Sequence, residues 1–133
     1  RLKNRIQADY IVHFPGDDST KLLRPRLEIY NGNARPWHVT AERGWVNANH
    51  AVILLYGEVH VWRNDGKEER ELEVITTNLR VLPKTEYAET NNAATIITPS
   101  SITNGIGMRA NLGIERLELL SKIKSRYEVK SGR

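Results

Sequence analysis

The sequence predicts an all-β domain of two facing antiparallel sheets, joined along a folded seam and open at both ends. Three observations predict it. Apolar residues recur at every second position nearly throughout, clusters of turn-forming residues punctuate them, and a two-stranded unit recurs along the chain. The 133 residues are read as one domain, long enough to bury a core without covalent staples.

The elements follow in order. Ile6, Ala8, Tyr10, Val12 and Phe14 alternate with Gln7, Asp9, Ile11 and His13, which reads as one half-buried strand. Pro15-Gly16-Asp17-Asp18-Ser19 supplies a turn. Leu27 and Ile29 form the next strand, closed by Asn31-Gly32 with a type I′ signal. Trp37, Val39 and Ala41 share a face up to the turn at Asn47-Ala48-Asn49. The most apolar run, Val52 to Trp62, puts Ile53, Leu55, Val59 and Val61 together, and Asn64-Asp65-Gly66-Lys67 turns it back. Leu72, Val74 and Thr76 come next, then Leu79 and Val81 before a turn at Pro83-Lys84-Thr85. Glu89 to Asn92, Gly105 and Gly107 interrupt the later strands. The last segment is a long strand rather than a helix. Its outward alternates Glu118, Leu120, Lys122, Lys124, Arg126, Glu128 and Lys130 are polar with one exception, while a helical stripe would have to include Lys124. Thirteen such residues would span roughly 43 Å.

The recurrence starts at Ala8-Asp9, Ala41-Glu42 and Thr77-Asn78, each opening two strands around a turn. A two-stranded unit cannot bury its own apolar face, whereas stacked units can, by closing two sheets on each other.

Composition narrows the chemistry. The absence of cysteine removes disulfides, thiolate zinc sites and cysteine nucleophiles. His13, His38, His50 and His60 lack metal-ligand spacing and read as surface or capping residues. No nucleophile elbow occurs, and Gly105-Ile106-Gly107 reads as a strand bend rather than a nucleotide loop. No catalytic residue, metal ligand or cofactor is therefore assigned. The net charge is +4, with Lys122, Lys124, Arg126, Lys130 and Arg133 gathered near the C-terminus. A basic β domain suggests nucleic acid in general. Here acidic residues are interspersed and aromatics are only 7%, so the cluster reads as a solvated edge that also discourages uncontrolled strand addition. Trp37 and Trp45 fall on apolar faces and read as core, while Trp62 is the exposed candidate. An alternative function is a sugar- or nucleic-acid-binding β-sandwich, which needs an exposed aromatic platform. An enzyme would need carboxylates or histidines at inward positions, and these are almost all apolar.

Several segments in order resemble the LptC family of lipopolysaccharide export proteins. They are Pro36-Trp37-His38-Val39-Thr40-Ala41-Glu42, Leu54-Leu55-Tyr56-Gly57-Glu58-Val59-His60-Val61, Ile75-Thr76-Thr77, Gly107-Met108-Arg109-Ala110-Asn111-Leu112 and Lys122-Ile123-Lys124-Ser125-Arg126-Tyr127-Glu128-Val129. The resemblance implies a twisted β-jellyroll without cofactor or catalysis, whose apolar interior carries lipopolysaccharide acyl chains. It implies lipid contacts at Leu22, Leu117 and Tyr127, to which alternation adds Val39, Leu55, Val59 and Ile123. It further implies that the C-terminal edge, with Leu119, Ile123, Tyr127 and Val129, pairs with the bridge protein LptA. The N-terminal edge, with Ile6, Ala8, Tyr10 and Val12, would meet the inner-membrane transporter of LptB, LptF and LptG. Free edges would also let two copies of the chain pair. The expected location is the periplasmic side of a single-pass inner-membrane protein of a Gram-negative bacterium. Since the first residue is Arg1 rather than Met, the expectation is that an upstream anchor has been removed.

Overall fold

A computed structural model describes residues 2–31, 35–67 and 69–128. Ten strands follow one another: β1 (Leu2–Gln7), β2 (Tyr10–Phe14), β3 (Ser19–Leu23), β4 (Arg26–Asn31), β5 (Trp37–Val46), β6 (Ile53–Asn64), β7 (Arg70–Leu82), β8 (Tyr87–Thr98), β9 (Ser101–Asn111) and β10 (Arg116–Tyr127). A 3-10 turn at Pro83–Thr85 links β7 to β8. All pairings are antiparallel, and they build one sheet in the order β1-β4-β5-β6-β7-β8-β9-β10. β3 also pairs β5, and β2 pairs β3.

The two expected sheets are therefore two leaves of a single folded one. β5 shows how: Trp37–Thr40 pair with β4, whereas Arg43–Val46 pair with β3. Along the line between these parts the register breaks at Ala41/Arg43, Leu55/Glu58, Ile75/Arg80, Thr90/Ala93 and Ser121/Lys124. Left-handed backbone marks the same line at Gly57, Asn78, Gly107 and Lys122. An extra residue in one strand bends it and raises its twist. Bends aligned across neighbouring strands fold the whole sheet.

Bulges orphan backbone groups, and polar side chains answer them here. Glu42 Oε2 accepts from the Glu58 N–H at 2.7 Å, and Asn78 Oδ1 accepts from the Gly57 N–H at 3.1 Å. The Thr90 hydroxyl donates to the Thr77 carbonyl at 3.0 Å, and Arg109 donates to the Thr90 carbonyl at 2.8 Å. The polar interruption at Glu89 to Asn92 is thus the seam crossing β8. At Gly57, with φ +79°, a Cβ would stand 2.5 Å from Glu42 Cδ, so both backbone and space require glycine. The recurrence read from the sequence is this seam: Asp9, Glu42 and Asn78 all lie on it. Asp9 holds its crossing through Arg24 Nε at 2.6 Å and Arg26 Nη1 at 3.0 Å.

The core lies between the leaves. Leu27, Trp37, Val39, Val61 and Val74 of one leaf form a single buried cluster with Val46, Ile53, Leu79, Val81 and Met108 of the other. A sheet face can lose nearly all solvent contact this way only by facing apolar side chains. Each such aliphatic residue contributes roughly 1.5–3 kcal/mol.

Two sequence expectations change. The strand read from Ile6 to Phe14 is two strands, broken at Ala8-Asp9 and belonging to different leaves. In β2 the inward residues are Ile11, opposite buried Leu22, and His13, opposite Thr20; Tyr10, Val12 and Phe14 point outward, and all five are exposed. The break at Asp9 shifts the alternation by one. Trp45 stands opposite Lys21 and Leu54 on the outer face, beside an outer cleft of about 560 Å³ that includes Phe14. The bulge after Ala41 moves it there. The turn assigned to Asn31-Gly32 extends outside the described residues. The other turns stand where expected: Asp17 Oδ1 accepts from the Ser19 hydroxyl and N–H, and Asp65 Oδ1 from the Lys67 and Glu69 N–H groups.

Candidate functional site

The inner face is continuous from one edge of the sheet to the other. In the first leaf Ile6, Leu27, Val39, Val61, Val74, Ile96, Thr103 and Ser125 stand opposite one another on successive strands. In the second, His13, Thr20, Val46, Ile53, Val81, Ala88, Ala110 and Leu117 do the same. The result is a trough with the seam as its floor and two rows of hairpins as its mouth.

Burial divides the expected lining residues into three groups. Leu22, Val39, Leu55 and Val59 are in the close-packed centre, Val59 with 0% exposure. Leu117 is half-buried against that core. Ile123 and Tyr127 stand at the C-terminal end with 55% and 70% exposure. Tyr127 is opposite Ser101 and borders a cleft of about 260 Å³ with Thr98, Pro99 and Ile102. It shares its face with Ser125, whose hydroxyl meets that of Thr103 at 3.0 Å, and Ile123 follows by alternation. The seven residues lie on the inner face, but only the last two leave an apolar surface open to a ligand.

The edges are unpaired among the described residues. β10 pairs only with β9, β1 only with β4 and β2 only with β3 among the described strands. Leu119, Ile123 and Tyr127 therefore sit on a free edge strand, and Val129 lies outside the described residues. At the other end Ile6 and the outward Tyr10 and Val12 sit on free strands, with Ala8 between them on the seam. Unpaired N–H and C=O groups of this kind accept a strand from another chain.

The mouth carries a charged cluster that alternation did not single out. Arg63 follows Val59 and Val61 at an inward position of β6, and a cation on core parity is the signal that would have found it. Its guanidinium lies 5.0 Å over the Trp37 ring, a cation–π contact, and its side chain is only 13% exposed. Its Nε and Nη2 donate to Glu71 Oε2 at 3.0 and 2.8 Å, while Nη1 donates to Glu115 Oε2. Arg35 donates to both Glu71 oxygens at 3.0 Å. Arg35 and then Arg63, by hydrogen bonding and charge, hold the Glu71 carboxyl below the usual glutamate range. Glu115 is in the turn between β9 and β10, so its pair with Arg63 ties one leaf to the other across the mouth.

Trp45 stands on the outer face beside the cleft that includes Phe14, whereas the other two tryptophans are covered. Trp37 is buried, and Trp62 is covered by His38, stacked at 5.4 Å, and by Arg70 at 4.4 Å.

The comparisons with known proteins agree with this architecture. The model of the family described as "Lipopolysaccharide-assembly, LptC-related" matches residues 1–128. Lipopolysaccharide export system proteins LptC of Escherichia coli (strain K12) and of Shigella flexneri are each 25% identical over 132 residues, covering 98% of this chain and 68% of theirs. The crystal structure of LptH, the LptA homologous periplasmic component of the lipopolysaccharide transport device from Pseudomonas aeruginosa, superposes with TM-score 0.70. It is 10% identical, covers 96% of each chain, and speaks for the fold alone.

Proposed function

The chain belongs to the LptC-related lipopolysaccharide-assembly family of non-catalytic transport proteins, and on that premise we propose that it is a conduit within the export machine. In this reading it takes lipopolysaccharide from the inner-membrane transporter of LptB, LptF and LptG at its N-terminal edge. It passes the lipid to LptA at its C-terminal edge, working as the periplasmic domain of a single-pass inner-membrane protein. No helix among the described residues is long and apolar enough to cross a membrane.

One observation carries the reading: the inner face, apolar through its centre, runs from strand edge to strand edge, and both edges are unpaired among the described strands. Each acyl methylene kept from water is worth about 0.8 kcal/mol, so several chains need a sheltered path across an aqueous space. A trough continued by strand addition provides such a path, with phosphates and sugars left at the mouth. Successive similar troughs make each hand-off nearly isoenergetic, so direction comes from an upstream ATPase and no bond changes here.

The packed centre adds a requirement. Leu55 and Val59 leave no room for a chain between the leaves as they stand, so passage needs the leaves to part about the seam. The exposed Ile123 and Tyr127 then mark the exit, where the interior is already open.

Photo-crosslinking tests this. A crosslinking side chain at Tyr127 or Ile123 in the energised exporter should capture lipopolysaccharide, and one at the outward Lys124 should not. Equal capture at all three positions would defeat the conduit.

A further inference from the structure

Among the described residues, the Arg63 cluster brings a largely covered cation, an apolar floor and a cross-leaf contact together at the mouth. We propose that Arg63 is a seat for a phosphate of an anionic lipid headgroup, and that Glu115 occupies this seat until the lipid displaces it. The proposal rests on the conduit reading and adds to it a defined contact for the polar end of the cargo.

The geometry supports the assignment in four respects. First, Arg63 is pre-organised: Trp37 supports its guanidinium plane and Glu71 fixes Nε and Nη2, which leaves Nη1 directed at Glu115. A guanidinium so held binds phosphate with little further ordering. Second, the charges favour exchange. Arg35, Arg63 and Glu71 together carry one net positive charge, which Glu115 neutralises from the other leaf. Withdrawal of Glu115 leaves a site that attracts an anion, and a phosphate restores the balance.

Third, Glu115 is a replaceable partner. It belongs to a hairpin turn, its side chain is 44% exposed, and Arg63 is its one ion-pair partner among the described residues. Fourth, the surroundings suit an amphiphile. Leu72 stands opposite Arg63 on β7 and packs against the core, and Ile29 stands opposite Trp37 on β4. Acyl chains entering below a phosphate at Arg63 would meet these residues first. Displacing Glu115 also removes an ion pair between the leaves, so the headgroup that needs the trough open would itself release the tie across it.

The experiment uses the chain with a crosslinker at Tyr127 and two probes: bisphosphorylated hexa-acyl lipid A and the same lipid without phosphates, each in detergent micelles. Arg63→Gln should weaken capture of the phosphorylated probe about tenfold, the scale of one lost charge-assisted contact, and leave capture of the other unchanged. Glu115→Gln keeps the cation over Trp37, guards against a folding defect of the first variant, and should strengthen capture of the phosphorylated probe alone. Equal effects on both probes, or no effect of Glu115→Gln, would overturn the seat while leaving the conduit standing. Inorganic phosphate that abolishes the Arg63-dependent difference at low millimolar concentration would reassign the seat to free phosphate and overturn the lipid assignment. Failure of both probes to crosslink in the unsubstituted chain would overturn seat and conduit together.

Discussion

The centre of the sheet and its two ends carry the same sequence pattern and have opposite fates. Leu55 and Val59 in β6 are apolar residues at inward positions, as are Ile11 in β2 and Ile123 in β10. The first two are sealed, whereas Ile11 and Ile123 are more than half exposed. Burial here is decided by the presence of a strand on each side and a leaf opposite. At the ends no described strand lies on the outer side of β2 or β10, and an apolar edge strand of this kind calls for a partner chain.

The largest effect that would sharpen the contrast is a charge in the sealed part. Val59→Asp should unfold the domain, at more than about 4 kcal/mol, because the carboxylate has no partner and no water. Leu55→Ala should cost about 2–5 kcal/mol and Ile123→Ala less than about 0.5 kcal/mol. Urea unfolding followed by circular dichroism measures all three. A similar loss at Leu55 and Ile123 would break the distinction between centre and end.

A smaller effect separates the seam from the turns. Gly57→Ala forces a Cβ into Glu42 at positive φ and should cost about 1–3 kcal/mol. Gly16→Ala, in a turn with nothing within 4 Å of the added atom, should be within about 0.5 kcal/mol of neutral. If the two glycines tolerated alanine equally, the seam would not be a constrained line.

The smallest effect concerns acid. Hydrogen bonds from Arg24 and then Arg26 hold the Asp9 carboxyl below the usual aspartate range. Its pKa is thus lower folded than unfolded, so its contribution is complete above about pH 4, the ordinary aspartate value, and is lost as pH falls through the depressed one. Melting temperature should therefore hold from pH 7 to 5 and fall below about pH 4, with a shallower fall in Asp9→Asn. The pair is exposed, so added salt should shrink that difference.

Much of this was legible in advance, residue by residue. Ile53, Leu55, Val59 and Val61 do share a face, because β6 keeps its alternation across the seam. The terminal segment is a strand, as its outward lysines and arginine indicated. Where alternation shifts at the seam, the reading lost phase. In β5 the inward set passes from Val39 to Gly44 and Val46, which carries Trp45 outward, and the break at Asp9 exchanges Tyr10 for Ile11. Arg63 left a trace as a cation on core parity, but its pairing with Glu115 left none, since the two are far apart in the chain and belong to different leaves.

By itself the sequence determined the strands, most of their turns and the recurrence of polar residues at which they bend, because each depends on neighbours a few positions away. Tertiary structure decided which apolar residues are sealed, which lie open at the ends, and which charges meet across the mouth. Those outcomes depend on how far the folded leaves close on each other, a distance that no local pattern encodes.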